Sequence, residues 1–205
     1  MPEPYRPCPV PFGQAGRSRD GKPNPVRGCV WRRVLLLRYR QPVPISLRPV
    51  EPSDLPLLTG GDTPFDDFGP RAPLTDAPPA KLDDSGGLTV VDDGGAVAGF
   101  VSWHWNHWGP NVASRCPMLG IWLRSPARGR GIGASAQREL AGLFFRHTTT
   151  NRVEAHTDVE NVAEQRALEA AGFQREGLVR GAHWRDGAYR DGYLYAIIRQ
   201  DVQGS

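Results

Sequence analysis

The chain has 205 residues, enough for one domain with a sizeable core plus additional chain, and its 20 prolines and 24 glycines mark part of it as irregular. The net charge of +3 is unevenly placed: residues 1–44 carry nine basic and two acidic side chains, whereas residues 45–205 carry sixteen and twenty. A mildly acidic body argues against general nucleic-acid binding and tolerates a cationic or amine partner. Three cysteines without CxxC or Cys/His spacing argue against zinc and fit a reducing, cytoplasmic setting.

Residues 1–44 read as a poorly ordered extension, because "PEPYRPCPVP" and "GKPNPVRG" are broken by proline. The run "VLLL", Val34–Leu37, is stopped by Arg38 and is too short for a signal-peptide core or a membrane span. Periodic structure begins with a strand over Ile45–Val50. Ser53 is placed to cap a helix carrying Leu55, Leu57 and Leu58. A Gly/Pro/Asp-rich loop follows from Thr59 to Ser85, of a length more often functional than idle. Asp93-Gly94 signals a hairpin. In its second strand Val101, Trp103 and Trp105 share one face, and Ser102, His104 and Asn106 the other. Pro117–Leu123 reads as a strand. A helix after Gly133 carries Ala136, Leu140, Leu143 and Phe144 at helical spacing. Arg152–Val159 is the next strand. Asn161 caps a helix with Ala163, Ala167, Ala170 and Ala171 on one stripe, ended by Gly172. Gly192–Ile198 is a final strand. Strands and helices are mixed, so the class is α/β or α+β.

The segment "RSPARGRGIGAS", Arg124–Ser135, lies between a strand and a helix. A helix start offers unpaired N–H groups and the positive end of a dipole. Glycines let an anion approach those groups, and Arg124, Arg128 and Arg130 add charge. This is a cradle for a diphosphate. A Walker A string is absent. A dinucleotide fingerprint is a rival, since Gly129, Gly131 and Ala134 satisfy GxGxxA and Glu154 lies about twenty residues on. The intervening "RSPAR" fits poorly in the tight turn that such a fold requires, and too few residues remain for its parallel strands.

Arg128, Gly131 and Gly133 also form R-x-x-G-x-G, and here the chain resembles the Gcn5-related N-acetyltransferase (GNAT) superfamily. "NVAEQRALEAAGFQREG", Asn161–Gly177, is similar to that family's asparagine block. "GLVRG" with "RDGAYRDGYLYAIIRQD" resembles the ending of the RimJ/RimL-type branch. The resemblance covers roughly Ile45 to Asp201. It implies a central splayed, mostly antiparallel sheet flanked by helices, and transfer of an acetyl group from acetyl-CoA to a primary amine, either a protein N-terminus or a small molecule.

The same resemblance assigns roles. Backbone N–H groups of Arg128, Gly129, Arg130, Gly131, Ile132, Gly133 and Ala134 would hold the diphosphate, with Arg128 and Arg130 adding charge-assisted bonds. The edge at Ile121, Trp122 and Leu123 would pair with the pantetheine arm and stabilise the thioester oxyanion. Asn161 would contact the cofactor, alongside its capping role, and Arg166 would reach a phosphate. A neutral amine must attack, so a base is needed. His104, Glu154 and His156 are the candidates. Glu164 and Leu168 stand where the family carries a serine and a tyrosine, which leaves Tyr195 as the alternative acid for the thiolate. Phe65, Phe68, Trp103, Trp105 and Trp108 are available to line an acceptor site, though half or more of them are expected to be core packing. No metal is implied. A homodimer is open through the final strands. A non-catalytic acetyl-CoA-binding module is the alternative outside enzymes, and a Rossmann-type oxidoreductase the alternative within them.

Overall fold

The computed structural model describes residues 42–58, 64–66 and 74–203. The expected extension lies outside these residues up to position 41. Gln41–Ser205 form one compact unit.

Seven strands make one sheet: β1 (Ile45–Pro49), β2 (Gly86–Asp92), β3 (Val97–His107), β4 (Arg115–Leu123), β5 (Arg152–Asp158), β6 (Gln174–Arg185) and β7 (Ala188–Ile198), in the order β1-β2-β3-β4-β5-β7-β6. Two helices, α1 (Ile132–His147) and α2 (Val162–Ala171), follow β4 and β5, and a short α3 (Arg199–Gln203) follows β7. Every neighbouring pair is antiparallel except β4 and β5, which are joined by the crossover through α1. A dinucleotide fold needs a run of parallel strands, so this topology overturns the Rossmann-type alternative.

The local chemistry explains the elements. Asp92 ends β2, and its Oδ1 accepts from the N–H groups of Gly94 and Ala96 at 3.1 and 3.0 Å, closing the β2–β3 turn. At the β6–β7 turn, Asp186 and Gly187 both take positive φ, the conformation that a two-residue hairpin turn requires. In α1, Ile132, Ala136, Leu140 and Phe144 recur every fourth residue and are all fully buried. Phe144 meets Trp103 and Trp105 edge-on, at 5.5 and 5.8 Å between ring centres. These two tryptophans belong to the face that the alternation predicted, and that face is the core.

Three expectations change. The segment after β1 is a single 3-10 turn, Leu55–Leu57, with Ser53 exposed. Its neighbour Asp54 organises the region instead, accepting from both terminal nitrogens of Arg48, from the Thr89 hydroxyl and from the Glu51 N–H. On α2, Leu168 and Ala171 are buried, whereas Ala163 and Ala170 face outward. The long β6, with almost all of its side chains exposed, has no apolar alternation to announce it; pairing with β7 makes it a strand.

Candidate active site

The Arg124–Ala134 segment turns through a 3-10 stretch, Ser125–Ala127, with Ala127 buried as its foot. Gly129 and Gly131 then take φ of +70° and +87°, a left-handed conformation unfavourable for residues with a β-carbon. Gly131 is the N-cap of α1 and has no side chain to cap with. The first helical bond recorded here runs from the Ser135 N–H to the Gly131 carbonyl at 3.2 Å. The N–H groups of Ile132, Gly133 and Ala134 precede that bond and open at the positive end of the helix. The cradle predicted from glycine and arginine spacing therefore has the backbone shape an anion needs.

The arginines are more occupied than their spacing implies. Arg128 Nε donates to the Leu123 carbonyl at 2.8 Å, pinning the turn to the end of β4. Arg130 forms ion pairs with Asp92 at 3.0 Å and Asp93 at 3.6 Å. Arg124 donates to the Val97 carbonyl at 3.0 Å.

Next to the turn the sheet splits. The β4–β5 ladder holds only two pairs, Met118 with Glu154 and Leu119 with Ala155. Beyond them Gly120, Ile121, Trp122 and Leu123 continue to pair with β3, while β5 departs with β7. The result is an open strand edge leading to the uncapped helix mouth. Asn161 sits across from it at the start of α2, its Oδ1 accepting from the Glu164 N–H at 3.2 Å. Its capping role is therefore realised. Arg166 is exposed on the outer side of that helix. One turn into the helices, Glu164 meets the Gln137 side chain, and burial raises its carboxyl to about 8. Leu168 is fully buried.

The opposite face of the sheet carries a different constellation. Strand register places His104 beside Met118, and Met118 beside Glu154, with His156 two residues further along β5. Glu154 is completely buried. Its Oε1 accepts from Arg152 Nε at 2.5 Å and from the Trp108 indole at 2.8 Å. Arg152 extends to the Glu176 carboxylate. Oε2 of Glu154 is buried and receives no N–H or O–H donor. Cys116 lies beside it, its thiol raised to about 12 by burial and then by the Glu154 charge. His156 is exposed at the surface, yet it is held below the ordinary histidine value, first by partial desolvation and then by His183, against an opposing pull from Glu154. The His183 ring centre is 6.3 Å away. His104 is exposed.

His104, Glu154 and His156 are thus gathered on one face. Tyr195 is not with them. It is fully buried on the helix-covered side, its hydroxyl 3.3 Å from Glu169 on α2. The aromatics divide as well. Trp103 is core, its indole donating to the Asp84 carbonyl at 2.7 Å. Trp105 packs on Phe144 from the same face, with the Arg115 guanidinium 4.2 Å over its ring. Trp108 is 66% exposed, on the loop between β3 and β4. Phe65 lies under the Arg185 guanidinium at 5.0 Å. Phe68 falls outside the described residues. Sequence reasoning missed Arg185, which is buried and binds Asp158, Glu160 and Asp186. No spacing signal marks it, because its partners come from β5, the turn after it and the β6–β7 turn. Among the described residues no helix is long and apolar enough to cross a membrane, and no group of three or more His, Cys, Asp or Glu side chains could hold a metal ion.

A split β4–β5 pair with a glycine-initiated helix at its mouth defines an acyl-CoA type of transferase fold, and comparison with known proteins agrees. The family described as "Acetyltransferase (GNAT) domain" matches residues 45–174, and the chain belongs to it. The chain is 30% identical over 89 residues to the probable N-acetyltransferase YjcK of Bacillus subtilis, covering 43% of this chain and 49% of that protein. It is similar to the crystal structure of Mycobacterium smegmatis RimJ in complex with CoA-disulfide, with a TM-score of 0.52 and 26% identity over 58% of this chain and 55% of the other. The fold is also that of spermidine N-acetyltransferase from Vibrio cholerae in complex with CoA and spermine, with a TM-score of 0.60 and 17% identity over 78% and 98% of the two chains. The chain spans about half the length of the curated relatives it matches.

Proposed function

We propose that this protein is an acetyl-CoA-dependent N-acetyltransferase that acetylates a primary amine, of the RimJ/RimL-type branch. The observation that carries the reading is the uncapped, left-handed Gly131 at the start of α1, opening where β4 and β5 part. A β-carbon at Gly131 would lie 3.2 Å from Val43 and enforce a strained φ, so the position is built for bare backbone. The residues present suit acetyl-CoA: an anion cradle for its diphosphate at Arg128–Ala134, and the end of β4 beyond its ladder with β5, at Ile121–Leu123, for its amide-bearing arm. The 26% identity to RimJ, described in complex with CoA-disulfide, supports the branch.

In this reading the amine approaches from the face that carries His104, Glu154 and His156. His156 accepts the proton as nitrogen attacks the thioester carbon, since its depressed basicity keeps it neutral at working pH. An N–H on the β4 edge holds the developing oxyanion. The carbon–sulfur bond then breaks and the thiolate leaves. Glu154 is already committed to Arg152 and Trp108, so it is the weaker base candidate, and Tyr195 is on the wrong side of the sheet to serve the same face. The missing hydroxyls at Glu164 and Leu168 keep the non-catalytic acetyl-CoA-binding module as a second reading. Titration of acetyl-CoA by calorimetry, with and without Gly131→Val, tests the cradle. The variant is expected to weaken binding at least tenfold, and unchanged affinity overturns the reading. Thiol release over an amine library separates the enzyme from the binding module.

A further inference from the structure

Around Arg152 the protein has built a box for a cation. Glu154, Glu176 and the Trp108 ring surround one guanidinium, with the ring centre 6.0 Å from it. Two carboxylates against one cation leave the box one negative charge in excess. The excess is localised. Oε1 of Glu154 is saturated by two N–H donors, whereas Oε2 has none, although the whole residue is removed from water. A buried carboxylate oxygen without an N–H or O–H donor is costly and calls for one, preferably a charged one. Its close neighbour, the Cys116 thiol, hydrogen-bonds to the carboxylate but is neutral and a weak donor. Trp108 lies against this carboxylate: it is an exposed indole on the loop between β3 and β4, and its N–H rests on the partner oxygen.

Glu154 and His156 are two residues apart on one face of β5. On an extended strand that is about 6.6 Å. Resting on the acetyltransferase reading above, we infer that the acceptor is a diamine: one nitrogen is presented to His156 for acetylation while the second, as an ammonium, donates to Oε2 of Glu154 with Trp108 swung aside. An extended four-carbon diamine covers the distance. Glu154 is in this account the anion that selects the acceptor, and His156 the group that takes the proton.

The test compares 1,4-diaminobutane with 1-aminopentane, which replaces the second nitrogen by a methyl group. Wild-type protein is expected to favour the diamine at least tenfold in kcat/KM, mostly through KM. In Glu154→Gln the preference should fall to near one, with KM for acetyl-CoA unchanged. A wild-type ratio near one, a ratio that survives in Glu154→Gln, or binding of acetyl-CoA without turnover of either amine overturns the inference. If Glu154→Gln does not fold, Trp108→Phe replaces it. That variant removes the indole N–H that holds the Trp108 ring over the carboxylate and should lower the diamine KM severalfold, and an unchanged or raised KM counts against the inference. If acetyl-CoA fails to bind at all, the acetyltransferase reading falls and takes the inference with it. If it binds and the diamine preference is missing, only the inference falls.

Discussion

The side chain of Gln137, deep in α1, meets the carboxyl of Glu164 in the first turn of α2. Gln137 in turn donates to the Gly133 carbonyl at 3.3 Å, so the contact between the two helices reaches the first turn of α1.

Burial raises Glu164 to about 8 from 4.5, so the folded protein holds a proton that the unfolded chain releases. Stability should then decline as pH rises from about 4.5 to about 8 through this group. Glu164→Gln removes the ionisable group and should flatten that decline. At pH 9 its Tm is expected to exceed that of the parent by roughly 3 °C. Thermal melts of both proteins between pH 5 and pH 9 provide the check.

His156 is depressed by partial desolvation and by His183, so the acidic limb of kcat/KM should lie below the ordinary histidine value of 6.5. Activity is present above that point and disappears as pH falls through it, because the protonated ring cannot accept a further proton. His156→Asn should reduce kcat by about 10²-fold or more and abolish the limb. A pH–rate profile that keeps its limb in the variant would assign the proton transfer elsewhere.

Asp54 is held well below the usual carboxylate range, first by the Arg48 hydrogen bond, with its own burial opposing. Its contribution is present above the unfolded value of 3.8 and is lost as pH falls toward the folded value. Asp54→Ala strands Arg48 and Thr89 and is expected to cost about 3 kcal/mol. Urea unfolding at pH 7 measures the loss, which should shrink in acid.

Gly129 and Gly131 make a fourth case, one that separates strain from obstruction. Nothing lies within 4 Å of a β-carbon at Gly129, whereas one at Gly131 meets Val43 at 3.2 Å. Both have positive φ, so alanine at either should destabilise by about 1 kcal/mol. If the cradle reading holds, Gly131→Ala should also weaken acetyl-CoA binding by a clear factor, as read by calorimetry.

Much of this arrangement was legible in the residues. The alternation in β3 assigned Trp103 and Trp105 to one face and His104 to the other, because a strand has only two faces to offer. The glycine spacing located the left-handed turn that opens α1, since few residue types accept that backbone. The Asn161 cap and the Gly172 stop were legible for the same local reasons. What stayed hidden depends on contacts distant in sequence. The carboxylates around Arg185 come from separate segments, and β6 becomes a strand only through β7. The occupation of Arg130 by Asp92 and Asp93 is likewise a tertiary event, invisible to spacing. Whether Tyr195 faces the His156 side or the helices depends on register with β5, which no local pattern supplies.

With two residue pairs as the whole ladder between β4 and β5, the molecule is a pair of half-sheets meeting at a short seam. Their spacing is governed by how closely the overlying helices nest, and a β-carbon at Gly133 would come within 3.8 Å of Ala167. Enlarging Ala167 would act as a wedge: it would press on Gly133 and widen the gap between the half-sheets from outside the seam itself.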